Sequence, residues 1–130
     1  MKMLREKVQA LSESIHQEVI GNRRHLHQHP ELSFAEYQTS AFVKSKLDEL
    51  GIAWSPMADT GIVALIQGDK PSDAVVALRA DMDALPITET NDVPYKSQNV
   101  GVMHACGHDV HTSSLLGVAK VLKELKSEFG

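Results

Sequence analysis

A nine-residue segment, MHACGHDVH at residues 103–111, holds three of the seven histidines and the only cysteine of the chain. Cys106 and His108 are separated by one glycine, which permits a tight turn, so both side chains can reach one ion. A thiolate and an imidazole are ligands for zinc, cobalt, nickel or manganese-type centres. A lone cysteine or histidine is more often packed or solvated, but this clustering beside Asp109 favours a metal site.

Two aspartates, Asp81 and Asp83, directly follow an apolar run that is typical of a strand. Sites in open α/β sheets gather at the carboxyl ends of strands. Two carboxylates at this spacing can orient a ligand histidine or bind a metal ion themselves. They can equally form a solvated turn before Pro86, and the pattern alone leaves both interpretations open.

Three further histidines lie in the segment RRHLHQHPE. On a helix, His25 and His29 share one face and could in principle bind a metal ion, whereas His27 points elsewhere. No acidic partner is in register with them. We therefore favour a structural or supporting role for all three.

Apolar spacing and turn residues predict two helices before the first strand. The first carries an apolar stripe and continues to Gln28, because His29 precedes a proline and avoids helical geometry. The second follows a capping-box sequence, SFAE at residues 33–36, and ends at Gly51. The stripe of the first helix is Leu4, Val8, Leu11 and Ile15, and the inner face of the second is Val43, Leu47 and Leu50.

Strand-like runs begin at Ile52, Gly61 and Ala74. The last two are apolar without alternation, which predicts burial on both faces. The short link between them, residues 68–73, predicts that they are antiparallel neighbours. After Asp81 the regular pattern stops for about two dozen residues, because turn residues recur there.

A final helix is predicted to begin at Asp109, which would cap it. Its apolar stripe is Leu115, Val118, Leu122 and Leu125. His111 lies four residues before the first of these, so the spacing predicts that His111 points toward the buried face. The order of elements predicts an α/β layered domain.

Length and composition narrow the class of protein. A chain of 130 residues suits one domain, and a net charge of −4 without a basic block disfavours nucleic-acid binding. No apolar segment has the length of a signal peptide or membrane span, so we expect no membrane partner. A single cysteine excludes an internal disulfide, and we expect a cytoplasmic protein.

Three stretches, RRHLHQHPELSFAEYQT, ALRADMDALPITE and GVMHACGHDVHTSSLLG, resemble in this order the amidohydrolase branch of the aminoacylase and carboxypeptidase metallopeptidases. The resemblance implies the N-terminal part of a three-layer α/β/α catalytic domain with a mixed sheet, incomplete in this chain. It also implies two divalent metal ions, manganese or zinc, with nickel and cobalt as alternatives.

The resemblance further implies a role for each matching residue. Cys106 and His108 would be metal ligands, and Asp83 would be a catalytic carboxylate beside the metal site. Asp81, in the same motif, and Asp109 and His111 would be supporting groups near the site. The matching position of His27 is usually not a metal ligand in the family, and His104 receives no role.

Other parts of the family pattern have no counterpart in this sequence. Members are longer, and their adjacent glutamate pair, further histidine ligands and inserted dimerisation or lid domain follow the CGHDVH motif. The only adjacent acidic pair here is Asp48–Glu49, in the second predicted helix. We therefore expect residues 1–130 to be the N-terminal portion of the catalytic domain and to be inactive alone. A homodimer is expected only for the full-length enzyme.

The expected reaction is hydrolysis of an amide bond that releases an amino acid from an N-acyl amino acid or short peptide. Two alternatives stay open at this point. One is a thiol hydrolase with Cys106 as nucleophile and His108 or His111 as base. The other is a non-catalytic metal-binding or interaction module derived from a hydrolase.

Overall fold

The computed structural model describes residues 3–130, and its regular elements are four helices and one hairpin. A single 3-10 turn, Lys126–Glu128, follows the last helix. The elements in chain order are α1 (Leu4–Ser14), α2 (His16–Gln28), α3 (Tyr37–Glu49), β1 (Trp54–Met57), β2 (Gly61–Ala64) and α4 (His108–Glu124).

The predicted first helix is two helices, α1 and α2, separated at Ile15. The backbone of Ile15, with φ −98° and ψ 1°, departs from helical geometry. No residue of α1 is buried, and Leu4 and Val8 of the predicted stripe are exposed. The apolar spacing identified helical structure as far as Gln28, but a single continuous helix with a buried stripe was not correct.

The start of α3 differs from the predicted capping box. The carboxylate of Glu36 accepts a hydrogen bond from the hydroxyl of Thr60 at 2.7 Å, so it does not reach back to the helix start. Glu31 takes the capping role, because its carboxylate accepts the backbone N–H groups of residues 38 and 39 at 3.0 and 2.7 Å. The capping box predicted at residues 33–36 is therefore wrong.

The end of α3 agrees with the prediction. Gly51 has φ +62°, and the backbone N–H of Ile52 donates to the carbonyl of Leu47 at 3.0 Å. This arrangement ends a helix with glycine in the left-handed region. The turn brings Ile52 into the apolar core, where it packs with Val43, Leu47 and Leu116.

The hairpin pairs the first two predicted strands. β1 and β2 are antiparallel, with Trp54 opposite Ala64 and Met57 opposite Gly61. The run from Ala74 forms no strand in the part of the chain that the structure describes, so its predicted pairing with the second run is wrong. Val75 and Val76 are 85% and 83% exposed, because no ladder covers them, and the predicted burial on both faces is also wrong.

α4 packs mainly against α2, and its buried face is displaced from the predicted stripe. The helix begins at His108, after Gly107 at φ +94°, one residue before the predicted start. Its buried residues are Asp109, Thr112, Ser113, Leu116 and Val121. Val118 of the predicted stripe is exposed, and so is His111, which corrects the prediction that His111 points inward.

The segment between β2 and α4 is irregular for longer than predicted, yet isolated backbone pairs hold it in place. Leu85 and Met103 exchange backbone hydrogen bonds of 2.9 and 3.0 Å, and Ala84 donates to the carbonyl of Glu31 at 2.7 Å. These contacts fix residues 81–83 beside the start of α4. Every helix within residues 3–130 falls short of the length and hydropathy needed to cross a bilayer.

Candidate metal centre

The first turn of α4 meets the Asp81–Asp83 segment through His108. Nδ1 of His108 lies 2.8 Å from Oδ1 of Asp83 and 3.0 Å from its carbonyl oxygen. Both oxygens are acceptors, so Nδ1 carries the proton and donates it. Nε2 then keeps its lone pair, which is the form of a histidine that binds a metal ion.

Three potential ligand groups converge around this nitrogen. The candidate ligand atoms of Asp81, His108 and His111 all lie within 4.8 Å of one another. Nε2 of His108 is 3.5 Å from Oδ2 of Asp81, and the ring centroids of His108 and His111 are 5.4 Å apart. One carboxylate and two imidazoles suit zinc, manganese, nickel or cobalt, so these residues fit a divalent ion.

The position of Asp81 is fixed by α4. The hydroxyl of Thr112 donates to the backbone carbonyl of Asp81 at 2.8 Å. Nη1 of Arg79 lies 2.7 Å from Oδ1 of Asp81, although the side chain of Arg79 is 84% exposed and this ion pair is weak. Thr112, which the sequence did not single out, therefore anchors one candidate ligand.

Cys106 is exposed and carries a free thiol. Within residues 3–130, the converging group contains His108 but not Cys106. Gly107, between the two, has φ +94° and sends the chain from Cys106 into α4. The structure thus brings Asp81, Asp83, His108 and His111 together and leaves the thiol of Cys106 outside that group.

Asp109 is buried and turns toward α2. Its Oδ2 lies 2.7 Å from Nδ1 of His27. The same oxygen forms an ion pair with Nε of Arg23 at 2.9 Å, but this contact is not aligned as a hydrogen bond. Its Oδ1 accepts the backbone N–H of Val110 at 2.9 Å. Asp109 therefore accepts one N–H of the first turn, as predicted, but it lies inside the helix and the N-cap residue is Gly107.

His27 joins Asp109 to a second carboxylate. Nε2 of His27 lies 2.9 Å from Oε1 of Glu89, so each ring nitrogen faces a carboxylate oxygen. Nδ1 also lies 3.2 Å from Nη2 of Arg23. Sequence spacing showed no acidic partner for His27, because these partners lie 62 and 82 residues away. A local pattern carries no signal for such contacts.

The carboxyl group of Glu89 is strongly acidic. Burial alone raises its pKa, but hydrogen bonds from His27, from the backbone N–H of Ser97 and from Asn91 outweigh burial. Together they lower the pKa of Glu89 from 4.5 to about 2. Glu89 is therefore a carboxylate at neutral pH, as its hydrogen bond with His27 requires.

His104 is buried beside His27, with ring centroids 6.4 Å apart. Neither ring nitrogen has a hydrogen-bond partner within the described residues. Burial lowers the pKa of His104, although the Asp109 charge opposes this shift. The ring is consequently neutral at physiological pH, which limits the cost of its burial.

His25 and His29 lie apart from this centre on the exposed side of α2. Their ring centroids are 4.8 Å apart, and His25 stacks on Phe42 at 4.3 Å. Burial, followed by the charges of His29 and Lys46, lowers the pKa of His25. Packing against Phe42 agrees with the structural role favoured for this histidine.

A carboxylate and two imidazoles gathered at the start of a helix are the kinds of side chain that hold the metal ion in metallohydrolases. The protein-family comparison specifies the class, because residues 77–130 match the model of Peptidase family M20/M25/M40. The chain is thus related to the M20 peptidases, which confirms the resemblance identified from the sequence.

Curated relatives extend this match over most of the chain. It is 54% identical over 112 residues to the N-acetyl-L-cysteine deacetylase of Bacillus subtilis (strain 168), covering 85% of this chain and 27% of the relative. It is 47% identical over 127 residues to the N-acyl-L-amino acid amidohydrolase of Geobacillus stearothermophilus, covering 97% and 34%. The chain therefore spans about a third or less of each of these relatives.

Solved structures agree in fold. A dinuclear metal-binding peptidase of the M20 family from Bacillus subtilis shares 43% identity at a TM-score of 0.85, covering 89% of this chain and 33% of that protein. A protein from methicillin-resistant Staphylococcus aureus that is assigned as an aminohydrolase shares 41% identity at a TM-score of 0.90. The match covers 98% of this chain and 32% of that protein. These similarities confirm the predicted α/β class.

Proposed function

We propose that this chain forms one wall of the metal centre of an amide hydrolase that releases an amino acid from an N-acyl amino acid or short peptide. The observation that carries the proposal is the convergence of Asp81, His108 and His111, with His108 oriented by Asp83. The names of the two curated relatives, a deacetylase and an amidohydrolase, support the reaction class.

Each residue of the proposed centre has a distinct task. His108, His111 and Asp81 are proposed ligands on geometry, and Cys106 is a proposed ligand on family resemblance. Bound divalent ions, two by analogy with the dinuclear relative, supply Lewis acidity that polarises an amide carbonyl and acidifies water. Asp83 holds the proton of His108 on Nδ1, which keeps Nε2 available as a donor atom.

The adjacent glutamate pair that the family resemblance implies, one member of which is the general base, has no counterpart in residues 1–130. The only adjacent acidic pair of these residues, Asp48–Glu49, is exposed on α3. Asp48 accepts a hydrogen bond from the indole of Trp54 at 2.8 Å, and Glu49 pairs with Lys46 at 2.9 Å. We therefore propose that residues 1–130 are the N-terminal portion of a catalytic domain and do not hydrolyse substrate by themselves.

Metal content and hydrolysis measured on the same intact protein test this function. We expect stoichiometric divalent metal, hydrolysis of N-acetyl amino acids, loss of both after complete chelation, and recovery with one of manganese, zinc, nickel or cobalt. The 130-residue chain alone should bind metal weakly and show no hydrolysis, because a site with few ligands is open.

Two results would replace the proposal. Hydrolysis that survives complete metal removal but is abolished by thiol alkylation would indicate a thiol hydrolase that uses Cys106. Metal binding by the intact protein without hydrolysis of any N-acyl amino acid or dipeptide would indicate a non-catalytic metal-binding module.

A further inference from the structure

We propose that His27 is a positioning residue for the metal centre, acting through Asp109; this inference rests on the proposed function. His27 lies on α2 and touches none of the proposed ligands. Its ring nitrogens lie 2.7 Å from Oδ2 of Asp109, 2.9 Å from Oε1 of Glu89 and 3.2 Å from Nη2 of Arg23. It therefore links α2, the start of α4 and the irregular segment that precedes α4.

Because these three side chains are buried, other arrangements of them are unfavourable. His27, Asp109 and Glu89 are 3%, 1% and 5% exposed. A buried carboxylate that loses one hydrogen bond is less well compensated for its desolvation, although Asp109 keeps its ion pair with Nε of Arg23 at 2.9 Å. The two carboxylates are therefore held at the two ring nitrogens of His27, and other orientations of the first turn of α4 are penalised.

The first turn of α4 transmits this constraint to the centre. Asp109 directly follows His108, and Oδ1 of Asp109 also accepts the N–H of Val110, so side chain and backbone are fixed together. His108 and His111 leave the same turn on the side where Asp81 lies. A rotation of this turn about its axis would move both imidazoles relative to Asp81.

Glu89 fixes the other side of the link. Besides His27, its carboxylate accepts the backbone N–H of Ser97 at 2.6 Å and the amide of Asn91 at 3.2 Å. Residues 89–97 are thereby held against α2. The proposed positioning therefore depends on the imidazole ring, which holds one nitrogen against each of the two carboxylates.

The test measures Zn²⁺ affinity of the intact protein by calorimetric titration, with Mn²⁺ as a second probe. We expect His27→Gln to weaken binding roughly 10–100-fold, the range found when groups that orient metal ligands are lost. Glutamine has a single side-chain nitrogen, so it cannot place one nitrogen against each carboxylate as the imidazole ring does. Glu89→Gln is the conservative variant, because its amide oxygen still accepts from His27, and we expect it to retain most of the affinity.

A matched control separates positioning from general destabilisation. Leu47→Ala removes a buried core side chain, 4% exposed, on α3, and should lower the stability of the fold. While the protein remains folded, we expect Leu47→Ala to leave the Zn²⁺ affinity unchanged. A Leu47→Ala loss of affinity equal to that of His27→Gln would overturn the proposal, as would unchanged affinity in folded His27→Gln.

Imidazole NMR signals of the metal-free protein give a second readout. We expect His27→Gln to shift the ring resonances of His108 and His111, whereas Leu47→Ala leaves them in place; unchanged resonances in His27→Gln would contradict positioning. If the wild-type protein binds no metal ion, the proposed function fails, and this NMR comparison still decides whether His27 orients the two rings.

Discussion

The carboxylate of Asp83 lies 2.8 Å from Nδ1 of His108, and the backbone carbonyl of the same aspartate lies 3.0 Å from that nitrogen. One residue thus presents two acceptors to one N–H group. This double contact selects a single tautomer of His108 and directs its other nitrogen toward Asp81, 3.5 Å away.

Replacement of Asp83 tests the value of this orientation. We expect Asp83→Ala to weaken Zn²⁺ binding roughly 10–100-fold, because the ring loses its charged acceptor. Asp83→Asn should have a smaller effect, since its amide oxygen still accepts from Nδ1. Calorimetric titration measures both, and Asp73→Ala, at an exposed site, is the control. Wild-type affinity in Asp83→Ala would refute the orienting role.

Cys106 provides a second prediction. If its thiolate is a ligand, as family resemblance implies, Cys106→Ser should remove most of the bound metal and activity, because a hydroxyl is a poor substitute for a soft thiolate. Elemental analysis and hydrolysis assays on the intact protein measure the effect. Full metal stoichiometry with a normal rate would exclude Cys106 as a ligand.

His111 provides the complementary prediction from geometry. We expect His111→Ala to lower metal affinity, because the ring is one of the three groups that converge within 4.8 Å. His16→Ala, on the exposed start of α2, serves as the control and should bind like the wild type. Equal affinity in the two variants would show that the exposed His111 ring does not bind the ion.

The pKa of Glu89 predicts a dependence of stability on acid. The pKa is lowered from 4.5 to about 2 in the folded chain. Glu89 therefore contributes stability above about pH 4.5, and this contribution is lost as the pH falls toward 2. Urea unfolding from pH 7 to pH 3 should show a shallower decline for Glu89→Gln than for the wild type, whereas exposed Glu13→Gln should follow the wild type. Parallel curves for Glu89→Gln and wild type would contradict this assignment.

Gly107 is required for its backbone conformation alone. Its φ is +94°, and an added Cβ would meet no atom within 4 Å. We expect Gly107→Ala to lower the free energy of unfolding by about 1–2 kcal/mol, the cost of left-handed geometry. Gly21→Ala, in α2 with equal space, should instead stabilise by up to about 1 kcal/mol. Thermal and urea unfolding check both, and equal effects would disprove a conformational role.

Local signals in the sequence predicted the features that depend on neighbouring residues. The end of α3 at Gly51 and the start of α4 within one residue of Asp109 follow from such signals. The clustering around His108 likewise favoured a metal site there, whereas the pattern at Asp83 left a solvated turn open and its role came from the family resemblance. How these two residues meet follows from the backbone contacts of residues 84 and 85, which no local pattern contains.

Contacts between distant segments account for the wrong or missing predictions. Thr60 engages Glu36 across 24 residues, which leaves the helix cap to Glu31. The buried face of α4 includes Asp109, which contacts α2. Counting back from Leu115 of the predicted apolar stripe therefore placed His111 on the wrong side of the helix. The apolar run at Val75 and Val76 fits a buried strand by composition, but burial needs a partner that composition does not provide.

The contact between His27 and Asp109 joins residues 82 positions apart. Closing so long a loop costs entropy, so the contact depends on α4 remaining docked on α2. Because His108 and His111 leave the first turn of α4 and Leu116 of the same helix lies in the apolar core, separation of the two helices would disturb the candidate ligand geometry and the core together.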